Sequence, residues 1–231
     1  MKTILVIGGS SGIGKQIVSD LLQKDYKVIA ASRSIQSADL PEEVEKQQYD
    51  VTSDEQLDIP EQLDGLVYCP GTINLRPFNR IKISDLQSEL EINYLGAVRT
   101  LLQCLNSLKK SEQGSVLLFS TVAVQTGMPF HSGISAAKGA VEGLVRSLAA
   151  EYAPHIRFNA IAPSLTDTPL AEGLLSNDKK REANTERHPL KRIGTAEDIS
   201  RMATYLLGEE SRWVTGQIFT LDGGMSALRL L

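Results

Sequence analysis

The residues with the clearest chemical use are glycines near the N-terminus. The apolar run TILVIG (residues 3–8) leads into GGSSGIG, which is followed by the amphipathic stretch KQIVSDLLQK. Glycines in a turn from a strand into a helix let the backbone approach a pyrophosphate closely, and the free N–H groups of the helix then bind the phosphate. A plain glycine-rich turn is the alternative. The predicted dinucleotide-binding residues of this turn are Gly8, Ser10, Ser11, Gly12, Ile13 and Gly14.

The second apolar run, YKVIAAS (26–32), ends at Ser32 and Arg33. NAD sites usually place a carboxylate there for the ribose 2′-hydroxyl, whereas an arginine suits a 2′-phosphate. Since no acidic residue stands in AASRS, NADP(H) is favoured over NAD(H), with Lys15 as a second phosphate ligand. A solvated Arg33 is the alternative. Asp50, at the end of the third run, is predicted to accept from the adenine amino group or to N-cap a short helix.

A lysine in HSGISAAK (131–138) is a third candidate for chemistry. Ile134 lies one helical turn before Lys138, so the two side chains share a helix face, and isoleucine has no ionisable group. His131 lies seven residues before Lys138, close to the same face if the helix reaches that far, and imidazole is a competent general acid near neutral pH. Ser132 and Ser135 are nearby hydroxyls that are not acidic enough alone. A solvated His131 is the alternative.

The elements that must position these residues alternate along the chain. Short apolar runs separated by helical stretches predict a parallel sheet covered on both faces and joined by right-handed crossovers. The fold class is therefore α/β, a Rossmann-type doubly wound parallel β-sheet of about seven strands. Residues 1–231 are predicted to form a single dinucleotide-binding domain, because no Pro-rich or Gly/Ser-rich linker interrupts them. Strands are predicted at 3–8, 26–32, 47–51, 63–69, 115–120, 156–162 and 217–221, and helices at 13–23, 84–110, 133–152, 178–186 and 196–208.

The composition excludes several other classes of protein. A net charge of −4 argues against a nucleic-acid partner, because phosphate binding requires clustered Lys and Arg. The two cysteines, Cys69 and Cys104, have no metal-like or redox-like spacing, which indicates a reducing compartment. The apolar runs are shorter than a membrane span, and MKTILVIGG begins a strand at once, which leaves no room for a signal peptide. A cytoplasmic protein without a membrane partner is expected.

From end to end, the chain resembles the short-chain dehydrogenase/reductase family. GGSSGIG resembles the family's TGxxxGIG turn, with Ile7 in place of threonine, and YDV resembles its adenine-contacting Asp-Val at Asp50 and Val51. EINYLGAVR resembles the helix that carries its active-site asparagine, here Asn93. FNAIAPSLTDT resembles N-x-x-x-P-G-x-x-x-T with Ser164 for glycine, and RIGTAEDIS and WVTGQIFTLDGG resemble the C-terminal signature. The resemblance implies an NAD(P)(H)-dependent oxidoreductase and adds these cofactor-binding residues: Gly71, Asn93, Lys138, Pro163, Thr166 and Thr168.

Two departures from the family pattern concern the active site. The family's N-N-A-G turn after the fourth strand reads Tyr68-Cys69-Pro70-Gly71, so only the glycine is kept. The catalytic Y-x-x-x-K, preceded by a serine thirteen residues before the tyrosine, has Ile134 at the tyrosine and Thr121 at the serine. The tyrosine gives the substrate oxygen its proton in ketone reduction, and losing such a group costs ~10²–10⁴-fold in rate, or roughly 3–5 kcal/mol.

Three residues keep roles that the resemblance implies. Thr121 holds a substrate oxygen, Lys138 grips the nicotinamide ribose and Asn93 orders a water. The resemblance implies a substrate that is a small carbonyl or alcohol, or an activated C=C bond, whose reduction leaves an enolate that takes its proton from water. A catalytically silent cofactor-binding subunit or sensor is the competing interpretation. The family also implies a homodimer or homotetramer, formed through the helices at 84–110 and 133–152 and the C-terminal strand region.

Overall fold

Seven parallel strands form one sheet in the order β3-β2-β1-β4-β5-β6-β9. The computed structural model describes residues 1–229 of the chain. β-Branched and other apolar residues fill β1, β4 and β5 because both faces of these strands are covered by helices. A separate two-stranded ladder pairs β7 with β8. The strands are β1 (Thr3–Ile7), β2 (Lys27–Ser32), β3 (Glu45–Gln48), β4 (Gly65–Tyr68), β5 (Gly114–Phe119), β6 (Ile156–Pro163), β7 (Thr166–Asp167), β8 (Gly194–Thr195) and β9 (Ile218–Leu221).

Helices cover both faces of the sheet, as a doubly wound fold requires. On one face the apolar sides of α3 and α4 pack on the sheet through residues such as Leu101, Cys104 and Val145. On the other face α1 and α6 do so through residues such as Ile17 and Ile199. The predicted α/β, Rossmann-type fold is confirmed. The helices are α1 (Gly12–Leu22), α2 (Ile83–Leu90), α3 (Gly96–Leu108), α4 (Ser132–Tyr152), α5 (Asp178–Glu186) and α6 (Ala196–Leu207).

The order of the strands fixes where a ligand binds. The chain passes from β1 to β2 and β3 on one side, and returns to place β4 on the other side of β1. Ligands of doubly wound sheets bind beyond the carboxyl ends of the strands at this reversal. The segments that follow β1 and β4 therefore flank the expected site.

The predicted helix 84–110 is wrong as one continuous α-helix. Residues Glu91–Leu95 form a π-helical stretch between α2 and α3. Asn93, in its middle, is buried, and its Nδ2 donates to the carbonyl oxygen of Glu89 at 2.9 Å. A side chain that bonds the carbonyl four residues earlier competes with the helix ladder, and π-helical bulges are frequent at functional sites. The irregularity thus falls at the predicted active-site asparagine.

A second difference is at the third strand, predicted over 47–51. The strand pairs with β2 only over Glu45–Gln48, and Asp50 lies beyond it in a turn. The remaining six strands and the helices at 13–23, 133–152, 178–186 and 196–208 form within two residues of the predicted bounds.

Candidate active site

The glycine-rich turn has a backbone that only glycine tolerates at three positions. Gly8 and Gly12 adopt φ values of +79° and +52°, in the left-handed region. A β-carbon on Gly14 would lie 2.2 Å from the carbonyl oxygen of Gly8. Helix α1 begins at Gly12, and the side chain of its N-cap residue, Ser11, makes no capping hydrogen bond. The turn therefore presents free N–H groups, a free hydroxyl and the positive end of a helix to one place.

A cleft of about 350 Å³ opens at this turn. It lies at the carboxyl ends of β1, β2 and β4, which is the predicted position at the reversal of strand order. Most of the predicted cofactor-binding residues line it. They are Gly8, Ser10, Ser11, Gly12, Ile13, Gly14, Ser32, Arg33, Asp50, Val51, Gly71 and Thr168.

The end of the cleft at β2 is cationic. Arg33 makes no ion pair among residues 1–229, and the buried Oγ of Ser32 next to it has no hydrogen-bond partner there. Lys15 lies outside the cleft lining, and its Nζ is 3.5 Å from Asp39. A free guanidinium beside an unpaired hydroxyl fits a phosphate, which accepts hydrogen bonds from both.

Asp50 occupies the neighbouring wall of the cleft. Its Oδ1 accepts hydrogen bonds from the backbone N and the Oγ1 of Thr52, at 2.9 and 2.8 Å. These bonds hold the pKa of Asp50 below its ordinary value. Since residues 51–53 form a turn and no helix follows, the alternative that Asp50 N-caps a short helix is wrong.

Four predicted cofactor-binding residues lie outside this cleft lining: Asn93, Lys138, Pro163 and Thr166. Asn93 and Lys138 nevertheless flank Gly71 at its edge. A β-carbon on Gly71 would lie 3.2 Å from Asn93 Oδ1 and 3.6 Å from Lys138 Nζ. Pro163 ends β6, and the Thr166 hydroxyl donates to the carbonyl of Ser164 at 3.2 Å.

Lys138 is a buried cation whose charge is weakly compensated. Burial lowers its pKa to about 8, while the Cys69 thiol and the Glu89 carboxyl act in the opposite direction. Burial also raises the pKa of Cys69 to about 12, so the thiol stays protonated at neutral pH. An amine with a pKa near 8 both holds and releases protons close to neutral pH.

Ile134, which the sequence resemblance aligns with the family's tyrosine, is 6% exposed in the first turn of α4. Thr121 caps the short 3-10 helix Val122–Val124, and its Oγ1 accepts from the backbone N of Ala123 at 3.3 Å. Ser135 Oγ donates to the carbonyl of Ala123 at 2.9 Å, so this hydroxyl hydrogen is already used. The Thr121 hydroxyl hydrogen remains available to a ligand, because its oxygen is the acceptor in its bond.

His131 does not lie on a face of α4, because the helix begins at Ser132 and His131 is its N-cap residue. Its Nδ1 lies 2.7 Å from the carbonyl oxygen of Pro129. A carbonyl accepts hydrogen bonds, so the ring's Nδ1 carries the hydrogen in this contact. His131 therefore does not share a helix face with Lys138.

Several residues at the site were not predicted from the sequence. Thr72 Oγ1 accepts from Asn93 Nδ2 at 2.9 Å, which places the loop after β4 against the π-helical stretch. The Tyr68 hydroxyl donates to the carbonyl of Ile92 at 2.6 Å, and burial raises the pKa of Tyr68, so it cannot replace the missing proton donor.

Glu89 is buried near Lys138. Glu89 stands in DLQSELEI beside Asp85 and Glu91, so the sequence did not single it out. The other unpredicted cleft-lining residues are Ile7, Ser34, Tyr49, Thr52, Cys69, Pro70, Ile92, Pro169 and Leu170.

The parallel seven-stranded sheet, with its glycine turn at the reversal of strand order, defines a dinucleotide-binding α/β protein. A family model described as Enoyl-(Acyl carrier protein) reductase matches residues 8–226. The chain belongs to the short-chain dehydrogenase/reductase family, whose members are nicotinamide-dependent oxidoreductases.

Three similar proteins illustrate this membership. The 3-oxoacyl-[acyl-carrier-protein] reductase FabG of Thermotoga maritima is 30% identical, with 97% of each chain covered. The Inactive 2-(S)-hydroxypropyl-CoM dehydrogenase 2 of Xanthobacter autotrophicus is 32% identical over 72% of this chain and 74% of its own. The solved structure of ElxO with NADP bound has a TM-score of 0.88 at 26% identity, covering 98% of this chain and 99% of that one.

Residues 1–229 contain neither a metal cluster nor a membrane-spanning helix. In this part of the chain, no group of three or more His, Cys, Asp or Glu side chains is placed to hold a metal ion. Within the same residues, no helix has the length and apolar content needed to cross a membrane.

Proposed function

We propose that this chain is an NADP(H)-dependent oxidoreductase that transfers a hydride to or from a small carbonyl, alcohol or activated C=C substrate with an atypical active site. The observation that carries the proposal is the meeting of Asn93 and Lys138 at Gly71, on the edge of a cleft that the glycine turn opens. The cleft residues fit a dinucleotide because Gly12, at φ +52°, has no side chain at the start of α1, and the missing β-carbon of Gly14 lets α1 pack against Gly8. Backbone can therefore approach a pyrophosphate closely there.

The preference for NADP(H) rests on the β2 end of the cleft. Arg33 and the hydroxyls of Ser32 and Ser34 line it, and no carboxylate from the end of β2 does. A ribose 2′-phosphate would receive charge-assisted hydrogen bonds from Arg33, whereas a 2′-hydroxyl would lack the usual acidic acceptor. The NADP named in the ElxO structure supports the same preference.

The chain's own groups perform binding and proton chemistry around the hydride that a bound nicotinamide supplies. Lys138 binds the cofactor's ribose hydroxyls with its ammonium group. The Thr121 hydroxyl, whose hydrogen is free, donates to the substrate oxygen. Asn93 orders a water with its unpaired Oδ1. None of these three residues is a tyrosine, so the family's proton donor has no direct counterpart among them.

Two substrate classes fit this site. The matched family model is described as an enoyl reductase, and the FabG relative as a 3-oxoacyl reductase. An isoleucine at position 134 favours the C=C class, because an enolate needs oxygen stabilisation but takes its proton from water. Turnover with matched pairs of carbonyl and enoyl thioester substrates separates the two classes.

A catalytically silent cofactor-binding subunit or sensor is the second candidate. A specific observation favours it: Ile134 is buried and cannot ionise, and one relative is named an inactive dehydrogenase. Substrate-dependent oxidation of NADPH that Lys138→Ala abolishes would exclude the silent subunit.

The assembly and location that accompany this function are also proposals. We expect one cytoplasmic domain over residues 1–231 that forms a homodimer or homotetramer. Ile83, Leu90, Leu95 and Leu102 support the assembly, because these apolar side chains are exposed along α2, the π-helical stretch and α3. Light scattering of the purified protein measures the oligomeric state, and a monomer at all concentrations would contradict the assembly.

Thermal unfolding with saturating NADPH, NADH or neither is the first test of the function. A ligand at ~100 times its dissociation constant adds about 2.7 kcal/mol to the free energy of unfolding. For a chain of this length the midpoint rises by roughly 5–10 °C. A rise with NADPH alone supports the proposal and justifies the substrate comparison, whereas no rise with either dinucleotide contradicts it.

A further inference from the structure

Glu89, in the last turn of α2, is a buried carboxyl group that the function described above does not use. Its side chain is 3% exposed, and its Oε2 has no hydrogen-bond partner among residues 1–229. Glutamate is almost never fully buried without a partner, because an isolated carboxylate loses its hydration. A buried carboxyl group without a hydrogen-bond partner either stays protonated or takes part in a binding or catalytic site.

The position of Glu89 is next to that of the missing tyrosine. A β-carbon on Gly133 would lie 3.5 Å from Glu89 Cδ and 3.6 Å from its Oε2, so the carboxyl group packs on the first turn of α4. Gly133 directly precedes Ile134. One turn after Glu89, Asn93 bonds the Glu89 carbonyl through Nδ2, while Asn93 Oδ1 is a second buried oxygen without a partner among the same residues.

The charged groups around this carboxyl group come from two helices. Burial raises the pKa of Glu89, Asp85 on α2 adds to the rise, and Lys138 on α4 opposes it. On Lys138, burial lowers the pKa, and Cys69 from the loop after β4 and Glu89 oppose that change. The pKa values of Glu89 and Lys138 are thus shifted towards each other, although the two side chains form no direct ion pair. A proton moves most readily between groups of similar acidity.

We propose that Glu89 holds the proton that a tyrosine at position 134 would supply and passes it to the substrate oxygen through Lys138. This role rests on the proposed oxidoreductase function. Glu89 positions the proton and does not itself touch the substrate. Asn93 Oδ1 and Lys138 Nζ meet at Gly71, 3.2 and 3.6 Å from its β-carbon position, and one water, which needs two to four polar partners, would link them to Glu89 Oε2.

The bond changes balance in the reductive direction. With a reduced nicotinamide bound, hydride addition would form a C–H bond at the carbonyl carbon and move the C=O π electron pair to oxygen, and that oxygen would take a proton from the Lys138 ammonium, so that an O–H bond forms as an N–H bond breaks. The Lys138 amine then regains a proton from the Glu89 carboxyl group, across the bridging water. Bulk solvent would return a proton to Glu89 before the next turnover, and the two electrons of the new C–H bond would come from the reduced nicotinamide.

If Glu89 had only a structural role, its substitutions would affect packing and not proton transfer. A carboxylate at the N-terminus of α4 stabilises the helix while it is ionised. Glutamine accepts hydrogen bonds in the same place but cannot carry a proton. Glu89→Gln therefore separates proton transfer from packing. Glu91→Gln is the matched control two residues later, where Glu91 pairs with Arg99 and is only partly buried.

The first measurement is independent of turnover: the free energy of unfolding of the wild type, E89Q and E91Q between pH 4 and pH 9. A folded-state pKa above the ordinary value of 4.5 means that the folded protein binds the extra proton. The wild type then loses stability relative to E89Q as the pH rises from 4.5 through the raised pKa, and the difference is constant above it. A pH-independent difference, or the same curve for E91Q, would overturn the proposal.

The second measurement is the pH profile of kcat with NADPH. E89Q should lower kcat by about 10²-fold and remove one ionisation from the profile, with the dissociation constant for NADPH unchanged. An E89Q profile equal to that of E91Q would overturn the role of Glu89 and leave the proposed function intact. A wild type that binds NADPH but turns over no substrate would overturn the function and this role together.

Discussion

A β-carbon on Gly14 would stand 2.2 Å from the carbonyl oxygen of Gly8, a separation that real β-carbon contacts essentially never show. The strand β1 and the helix α1 are thus as close as a backbone permits at the point where a pyrophosphate is expected. Because the obstacle is backbone and not the end of a flexible side chain, the turn cannot yield without moving α1. The contact between Gly14 and Gly8 therefore shapes the expected pyrophosphate site and also packs α1 against the end of β1.

Gly14→Ala should therefore abolish NADPH binding and destabilise the fold. The added methyl group must displace α1 from β1, which misplaces the N–H groups that meet the phosphate. Thermal unfolding with and without NADPH measures both effects. The control is Gly143→Ala in α4, where a β-carbon meets nothing within 4 Å and alanine stabilises a helix by up to ~1 kcal/mol over glycine. A G14A protein that binds NADPH like the wild type would contradict this interpretation of the turn.

Arg33→Ala should weaken NADPH and leave NADH unaffected. A hydrogen bond to a charged group contributes about 1.5–3 kcal/mol, so the dissociation constant for NADPH should rise roughly 10- to 100-fold. Titration calorimetry with each dinucleotide measures the change. Arg201→Ala, on the exposed side of α6, is the matched control for the loss of one positive charge. Equal weakening of both dinucleotides would show that Arg33 does not contact the 2′-phosphate.

Most of the predicted cofactor-binding residues line one cleft because they lie in segments that follow parallel strands. The turn after β1 is one continuous motif, and Arg33 directly follows the apolar run of β2, whereas Asp50 follows the polar strand β3, whose bounds were predicted as 47–51. In a parallel sheet, carboxyl ends of strands meet at one edge, so residues that follow strands meet as well. This is why twelve of the predicted cofactor-binding residues line the same cleft.

The active-site end was harder to predict because it depends on tertiary contacts. The π-helical stretch around Asn93 arises from a side-chain bond to Glu89 that no periodicity reveals. Glu89 itself stands in DLQSELEI among other acidic residues and has no motif of its own. Its burial depends on Gly133, which is 44 positions away in the chain. The sequence predicted the start of this helix at 133 and the structure has it at Ser132, so His131 lies just outside the helix in both.

Ile134→Tyr should increase turnover if the substrate is a carbonyl. A phenol one turn before Lys138 restores the family's proton donor, and general acid catalysis contributes typically 10²–10⁴-fold. The rate with a carbonyl substrate should rise by about that factor, and the rate with an activated C=C substrate should change little. Ile134→Phe is the control, because it adds the ring without the hydroxyl. A similar gain in both variants would attribute the effect to shape.

Lys138→Met should change the dependence of stability on pH in a defined direction. Burial lowers the pKa of Lys138 from the ordinary lysine value of 10.5 to about 8 in the folded protein. Between these values the unfolded chain binds the proton and the folded chain does not, so the free energy of unfolding rises with pH. The wild type should gain stability relative to K138M from about pH 8 to pH 10.5, and below pH 8 the difference should be constant. Urea unfolding at intervals across this range measures the difference.

Lys179→Met, on the exposed helix α5, is the control for the pH dependence. It should give a pH-independent difference from the wild type, because folding does not bury its side chain. If K138M behaved like K179M, the ammonium group of Lys138 would keep its ordinary acidity. It would then remain protonated well above neutral pH and could not exchange a proton with Glu89 at the working pH of the site.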